Sequence, residues 1–182
     1  MLETLQKITS TSKVKMMDTG RQSAGNEQLD WMAGIIDGEG SLMLHKRSQT
    51  KGGKFSLRPI ATIANTHKPT IDRCYSILTE LGIGPYLCTN RPKNGKYPPQ
   101  YSLFVNGYKR MGKFLEVFRE RLFTKRHQAD LLDEFIKSRD GAHPGKPYTP
   151  REAQIADEIK FANNSRYWFG SSETLRVAPE QG

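Results

Sequence analysis

Several features that this sequence lacks narrow what it can encode. Its 182 residues include two cysteines, Cys74 and Cys88, whose spacing fits no paired-cysteine metal site, so we interpret both as small apolar residues in a reducing compartment. No apolar run approaches the roughly 20 residues that a membrane-spanning helix needs, and no membrane partner is expected. Residues 1–25 contain no secretory apolar stretch and are interpreted as a flexible leader before one domain at 26–182; a transit peptide is the alternative for the leader.

Acidic residues are scarce in the middle of the chain. Between Ser41 and Arg126 there are 17 lysines and arginines against four acids, a net charge of +13, whereas the rest of the chain carries −4. Positive charge concentrated in this way suits a polyanionic partner, and nucleic acid above all. On charge alone, a solvated basic surface without a partner is the alternative.

Apolar spacing predicts an α-β-β-α-β-β-α-α-α order of helices and strands. Such an order is typical of an α+β domain in which helices cover one face of an antiparallel sheet and leave the other face free. Turn and capping residues mark several of the boundaries. We expect strands at 41–48, 55–65, 86–91 and 100–106, a turn at Gly52-Gly53, and helices at about 26–37 (with Asn26 as N-cap), 69–82, 111–118, 125–138 and 150–163 (with a capping box at Thr149 and Glu152).

Basic residues fall on the sheet face that is predicted to be free. Along the first strand, Leu42 and Leu44 are predicted to point one way and Arg47 the other, and Arg58 and Arg91 are placed like Arg47. A curved antiparallel sheet fits the major groove of duplex DNA and can present side chains to base edges. The alternative is an ordinary amphipathic sheet whose polar face contacts water.

The segment 32–40, Met-Ala-Gly-Ile-Ile-Asp-Gly-Glu-Gly, carries the sharpest local signal. Gly34 and Gly38 leave a nearly bare helix surface that permits another backbone to approach, although a helical glycine costs roughly 1 kcal/mol relative to alanine. Asp37 and Glu39 lie at the negative end of the helix dipole, where paired carboxylates invite a divalent cation such as Mg²⁺. The alternatives are that Asp37 bonds to neighbouring backbone N–H groups and that Glu39 is a solvated loop acid.

This segment resembles the LAGLIDADG motif of homing endonucleases, with conservative changes. The resemblance spans roughly Asn26 to Arg176 and contains a single motif. It implies an αββαββα core with extra C-terminal helices, in which a curved antiparallel sheet forms a DNA-binding saddle. Outside the motif it is carried by Asn65-Thr66, Leu81-Gly82-Ile83-Gly84, Lys125-Arg126-His127-Gln128-Ala129 and Ser171-Ser172-Glu173-Thr174-Leu175-Arg176.

The resemblance also implies roles for individual residues. Glu39 matches the acid that binds the catalytic metal, helped by the backbone carbonyl of Gly38, and the expected cofactor is Mg²⁺ or Mn²⁺. His67 matches a position that orients water near the metal, and Lys125 matches a basic residue that stabilises phosphate charge or organises the water network. One departure is Ile71, which stands where some relatives carry an arginine.

A single motif implies a homodimer that pairs two motif helices about a twofold axis. The implied function is site-specific cleavage of a long, roughly palindromic double-stranded DNA, leaving 3′ extensions, inside a mitochondrion, chloroplast or prokaryotic cell. The alternatives are an RNA-splicing maturase and a non-cleaving DNA-binding protein of the same fold. The expected dimer interface is Met32, Ala33, Gly34, Ile36, Asp37 and Gly38. The expected DNA contacts are Ser41, Met43, His45, Arg47, Arg58, Thr62, Lys68, Arg91, Lys93, Gln100 and Ser102.

Overall fold

A computed structural model describes residues 25–48, 55–92, 96–141 and 146–164. Within these ranges the helices and strands follow one another in the predicted order, with one additional 3-10 turn. The predicted leader, the Gly52-Gly53 turn, Lys93 and the tail at 171–176 lie outside the described residues, apart from residue 25. The elements are α1 (described over 25–39), β1 (Gly40–Ser48), β2 (Phe55–Asn65), α2 (Lys68–Glu80), β3 (Tyr86–Asn90), β4 (Gln100–Asn106), α3 (Tyr108–Phe118), the 3-10 turn (Arg119–Arg121), α4 (Arg126–Ser138) and α5 (Pro150–Ala162).

The four strands form one antiparallel sheet in the order β1-β2-β4-β3. Because successive side chains on a strand point to opposite faces, alternate residues of β1, β2 and β4 enter the core. Helices α2 and α3 pack on β2 and β4, while α4 and α5 pack against β1. The predicted α+β class with a free sheet face is therefore confirmed. The buried strand residues are Leu42, Leu57, Pro59, Ala61, Ile63, Leu103 and Val105.

Apolar periodicity identified the buried side of the helices correctly. The four residues predicted to lie in phase on α3, from Met111 to Phe118, are all buried, and so are the predicted core positions of α2 from Ile71 to Leu78. Of the two cysteines, Cys74 is buried, and burial raises the pKa of its thiol to about 11. Cys88 lies on the edge strand β3 and is exposed.

Some predicted boundaries are displaced by one or two residues. Asn26 lies inside the described part of α1 rather than at its N-cap, and its side-chain oxygen accepts a hydrogen bond from Arg121 at 3.0 Å. Strand β3 ends at Asn90, so Arg91 is an exposed loop residue and not a strand position. Helix α4 begins one residue later than predicted, and Lys125 is its N-cap. Among the described residues, none of the helices combines the length and apolar character that a bilayer crossing requires.

The predicted capping box of α5 is present and is tied to a buried carboxylate. Thr149 Oγ1 accepts from the backbone N–H of Glu152 at 3.2 Å, and Glu152 accepts from the N–H of Thr149 at 2.7 Å. Glu152 is 1% exposed, and it also accepts from the Ser138 hydroxyl at 2.8 Å and lies 3.6 Å from the Arg139 guanidinium. Burial acts to raise the pKa of Glu152, but these hydrogen bonds and the arginine outweigh it and hold the pKa below its ordinary value.

We expect Glu152→Ala to lower the free energy of unfolding by about 3 kcal/mol, because it leaves the nearly buried Arg139 without its carboxylate. Since folding lowers the pKa of Glu152, its stabilising contribution is complete at neutral pH and is lost as the pH falls through the folded-state value. Urea denaturation measures both effects. The control is Glu158→Ala on the same helix, whose ion pair with Arg151 is half-exposed and contributes less than about 1 kcal/mol. Equal losses in the two variants would contradict this assignment.

Candidate functional site

Asp37, near the end of α1, holds a distant segment of the chain against that helix end. Its two carboxylate oxygens accept from the backbone N–H groups of Phe123, at 2.7 Å, and Lys125, at 2.9 Å. Charge-assisted hydrogen bonds of this kind are among the stronger ones in proteins. The Asp37 carboxylate therefore bonds to backbone N–H groups, but to those of a segment distant in sequence and not to neighbouring ones.

The side chain of Lys125 returns to the same helix end. Its ammonium donates a hydrogen bond to the backbone carbonyl of Asp37, where the negative end of the α1 dipole favours a cation. Burial lowers the pKa of Lys125 below the ordinary lysine value, although the charges of Asp37 and Glu39 act in the opposite direction. The positive charge of Lys125 is unfavourable at the start of α4 but favourable at the end of α1. This charge also lies close to that of Glu39.

Glu39 is the last helical residue before β1, and its carboxylate is exposed. It makes no hydrogen bond or ion pair with the described part of the chain, so it is free to bind a ligand. The chain turns directly from helix to strand at Gly40, where a Cβ atom would collide with the backbone of Ile36. A Cβ built on Gly38 would meet no atom within 4 Å, so the surface beside Glu39 is open.

His67 lies at the same end of the sheet as Glu39. Gly40, the first residue of β1, pairs with Ile63 near the end of β2, and His67 follows that strand end as the N-cap of α2. The His67 backbone N–H donates to the Asn65 side chain at 2.8 Å, and its ring Nδ1 is 2.8 Å from the Thr70 hydroxyl. These contacts hold the exposed imidazole of His67 just beyond the end of strand β2.

Ile71, at the position where the resemblance implies an arginine in some relatives, is part of the core. Ile71 is fully buried, so no charged side chain could occupy this place without disrupting the packing. The Arg73 guanidinium lies 4.7 Å from the centre of the Trp31 ring on α1. The exposed Lys68 forms a salt bridge of 2.6 Å with Asp72.

The described residues of one chain contain no cluster of three histidine, cysteine, aspartate or glutamate side chains that could hold a metal ion. Glu39 and the backbone carbonyl of Gly38 would each offer an oxygen ligand to a divalent cation. Carboxylate and carbonyl oxygens are suitable ligands for Mg²⁺ and Mn²⁺. The donor set therefore fits such a metal, provided that further ligands come from outside the chain.

The strand register brings most of the predicted DNA contacts onto the open face of the sheet. Ser41 pairs with Thr62, Met43 with Ile60, and His45 with Arg58 on this face, while the intervening Leu42, Pro59 and Ala61 are buried in the core. Near the outer end of β1, basic residues line a concavity of about 520 Å³ that also contains Ile60. The residues that share this face are Ser41, Met43, His45, Arg47, Arg58, Thr62, Gln100 and Ser102.

No protein-family model and no curated protein matches this sequence. Solved structures do match it. The homing endonuclease I-CvuI in complex with a DNA target is 18% identical over 78% of this chain and 85% of its own, with a TM-score of 0.57. The archaeal intron-encoded homing endonuclease I-Vdi141I, complexed with DNA, is 17% identical over 77% and 86%, with a TM-score of 0.61. The LAGLIDADG homing endonuclease I-LtrWI, bound to target DNA, is 19% identical over 86% and 53%, with a TM-score of 0.54.

This chain has the LAGLIDADG homing endonuclease fold. Its sequence motif lies on α1 and at the start of β1, and the motif acids lie at the junction between the two. Glu39 therefore directly precedes β1, the edge strand whose outward residues contribute to the open sheet face.

The predicted dimer interface needs correction. Met32, Ala33 and Ile36 are 0%, 2% and 1% exposed, because they pack in the core of their own chain and cannot contact a second copy. Gly34 and Gly38 are exposed, and a Cβ atom at either position would meet nothing within 4 Å. Of the predicted interface residues on α1, Gly34 and Gly38, about one turn apart, are therefore the exposed ones.

Sequence reasoning missed two groups of residues at this surface. Phe123 is 92% exposed although its backbone N–H is fixed by Asp37, and nothing in the local sequence distinguishes it from a core phenylalanine. Ile60 and Phe104 lie on the open face among the predicted contacts. Ile60 could have been found from the sequence, because it lies between Arg58 and Thr62 in the same alternation.

Proposed function

We propose that this chain is a site-specific endonuclease that binds double-stranded DNA and cleaves both strands as a homodimer. The observation that carries the proposal is the free, exposed carboxylate of Glu39 beside the Lys125 ammonium, at one end of an open sheet face with basic residues. The solved structures of the same fold support it, since I-CvuI and I-Vdi141I are homing endonucleases observed with DNA.

In this proposal the open sheet face reads the DNA bases. Arg47 and Arg58 are exposed and can donate paired hydrogen bonds to guanine in the major groove, and Gln100 can do the same to adenine. Lysines and arginines around the sheet, including Arg91, bind phosphates without regard to sequence. Affinity should therefore fall as the salt concentration rises.

Cleavage would be the work of the residues at the end of α1. Glu39 and the Gly38 carbonyl would hold a divalent metal, which when bound would supply the charge that makes water a stronger nucleophile. The Lys125 ammonium, fixed by the Asp37 carbonyl, offsets negative charge that develops on the phosphate. With Nδ1 of His67 beside the Thr70 hydroxyl, Nε2 is the ring nitrogen left to orient water.

The homodimer would form through the surface of α1 that carries no side chains, at Gly34 and Gly38. A twofold axis beside Gly34 and Gly38 would let two α1 helices approach closely and bring the two Glu39 carboxylates together over the two scissile phosphates. Such an enzyme must share a compartment with its DNA, and we therefore expect an organellar or prokaryotic location.

We expect Gly34→Leu to prevent dimer formation while leaving the fold of one chain intact. The added side chain meets nothing within its own chain, and leucine has a higher helix propensity than glycine. In the dimer it overpacks the interface by about 1–3 kcal/mol per copy, an effect that symmetry doubles. Sedimentation measures the association, and Gly112→Leu on α3, which is equally free of neighbours, is the matched control. An active wild-type monomer would refute the proposed homodimer.

Selection from random nucleic-acid libraries tests the proposed substrate. The protein, incubated with duplex DNA and with structured RNA, should enrich an inverted repeat from the duplexes, with an affinity that falls steeply with salt. Enrichment of RNA alone would support a splicing maturase. Selection of a duplex that is never cut in Mg²⁺ would support a non-cleaving DNA-binding protein.

A further inference from the structure

The middle of the open sheet face is apolar. Two neighbouring rows of paired residues cross the sheet there: one runs Met43, Ile60, Asn106, and the other runs Ser41, Thr62, Phe104, Tyr86. Tyr86 is 61% exposed and its ring centre lies 6.0 Å from that of Phe104. We name Met43, Ile60, Thr62, Phe104 and Tyr86 the apolar band.

A row with His45 and Arg58 borders the apolar band on one side, and a row of the small side chains Ala64, Ser102 and Cys88 borders it on the other. Towards the outer end of β1 the next rows contain His45 with Arg58 and then Arg47, which line the concavity of about 520 Å³. On the other side the rows contain Ser102 and then Gln100. Since β1 starts directly after Glu39, the apolar band lies between the proposed cleavage site and the outer arginines.

Resting on the proposed function, we infer that the apolar band reads the 5-methyl groups of thymines in each half-site. Thymine is the only base with a methyl group on its major-groove edge, and threonine methyls and phenylalanine rings are typical contacts for it. Arginines in the outer rows select guanine. Each half-site should thus contain an A·T-rich stretch next to the cleavage centre and a guanine further out.

Charge favours DNA over a protein as the partner of this band. Arg47, Arg58 and His45 lie within two rows of it, and the chain from Ser41 to Arg126 carries a net charge of +13. A protein partner would need apolar side chains against the apolar band and acidic side chains against the neighbouring basic residues. The major groove of a thymine-rich duplex presents methyl groups between two lines of phosphates and matches both.

Deoxyuridine tests the inference, because it differs from thymidine only by the methyl group. Duplexes enriched by the wild-type protein are resynthesised with uracil in place of each thymine in turn, and the dissociation constants are measured. We expect about fourfold weaker binding for each contacted methyl, and roughly fifteenfold when both half-sites are changed. In Ile60→Ser, sensitivity to uracil at one position of each half-site should disappear, whereas Arg58→Ala should keep it and lose preference for an outer guanine.

The outcomes separate this inference from the proposed function. If no duplex is enriched, the proposed function fails and the inference fails with it. If an inverted repeat is enriched but uracil leaves the affinity unchanged at every thymine, the endonuclease proposal stands and the reading of methyl groups is wrong. Because the comparison of uracil with thymine uses wild-type protein, a variant that fails to fold cannot obscure the answer.

Discussion

Glu39→Gln should reduce Mg²⁺-dependent cleavage by roughly a thousandfold or more and leave the affinity for duplex DNA nearly unchanged. Glutamine keeps the size of the side chain and removes the charge that would hold the metal. The fold should tolerate the change, because the Glu39 carboxylate is exposed and has no hydrogen bond to the described part of the chain. An electrophoretic shift in Ca²⁺ measures binding, and a cleavage assay in Mg²⁺ measures the rate.

The matched control for Glu39 is Glu116→Gln, which removes an exposed carboxylate from α3, a helix packed on β2 and β4. It should bind and cleave like the wild-type protein. If Glu39→Gln cleaves at the wild-type rate, the metal is not held by this acid and the proposed active site is wrong.

Lys125→Met should lower the cleavage rate by roughly a hundredfold to a thousandfold without unfolding the protein. Methionine fills the half-buried space and removes the ammonium, whose charge interacts with that of Glu39, together with the cost of burying that charge. Single-turnover cleavage measures the rate, and thermal unfolding checks the fold. Full activity of Lys125→Met would contradict a role in offsetting phosphate charge.

Asp37→Asn separates this catalytic effect from a structural one. An amide has one oxygen where the carboxylate uses two, so one of the N–H groups of Phe123 and Lys125 loses its acceptor, at a cost of about 1–3 kcal/mol. We therefore expect Asp37→Asn to lose stability as well as activity, whereas Lys125→Met loses activity alone.

The fold was largely predictable because its local signals agree with one another. Strands β2 and β4 match their predicted bounds, since alternation along a strand with one buried face is a strong pattern. The capping box at Thr149 and the buried positions of α3 were also predicted correctly. Once the register of the strands is known, the alternation of side chains also places the predicted DNA contacts on one face of the sheet.

The remaining features depend on contacts that local sequence does not encode. The hydrogen bonds that join Asp37 to Lys125 link residues 88 positions apart, and no pattern near either residue predicts them. Apolar periodicity placed Met32, Ala33 and Ile36 on the packed face of a helix. It did not show whether that face packs against the same chain or against a second copy. Small residues suit both kinds of packing, and only the fold shows that Gly34 and Gly38 remain open.

Sequencing the ends of DNA cut by the wild-type protein tests the central claim most directly. The enriched duplex is incubated with protein in Mg²⁺, and the ends of both strands are mapped. We predict one cut in each strand, placed symmetrically about the centre of an inverted repeat and leaving 3′ extensions, with no cutting when the metal is chelated. An enriched duplex that stays intact in Mg²⁺, or cuts that continue after chelation, would contradict the assignment of this chain as a metal-dependent endonuclease.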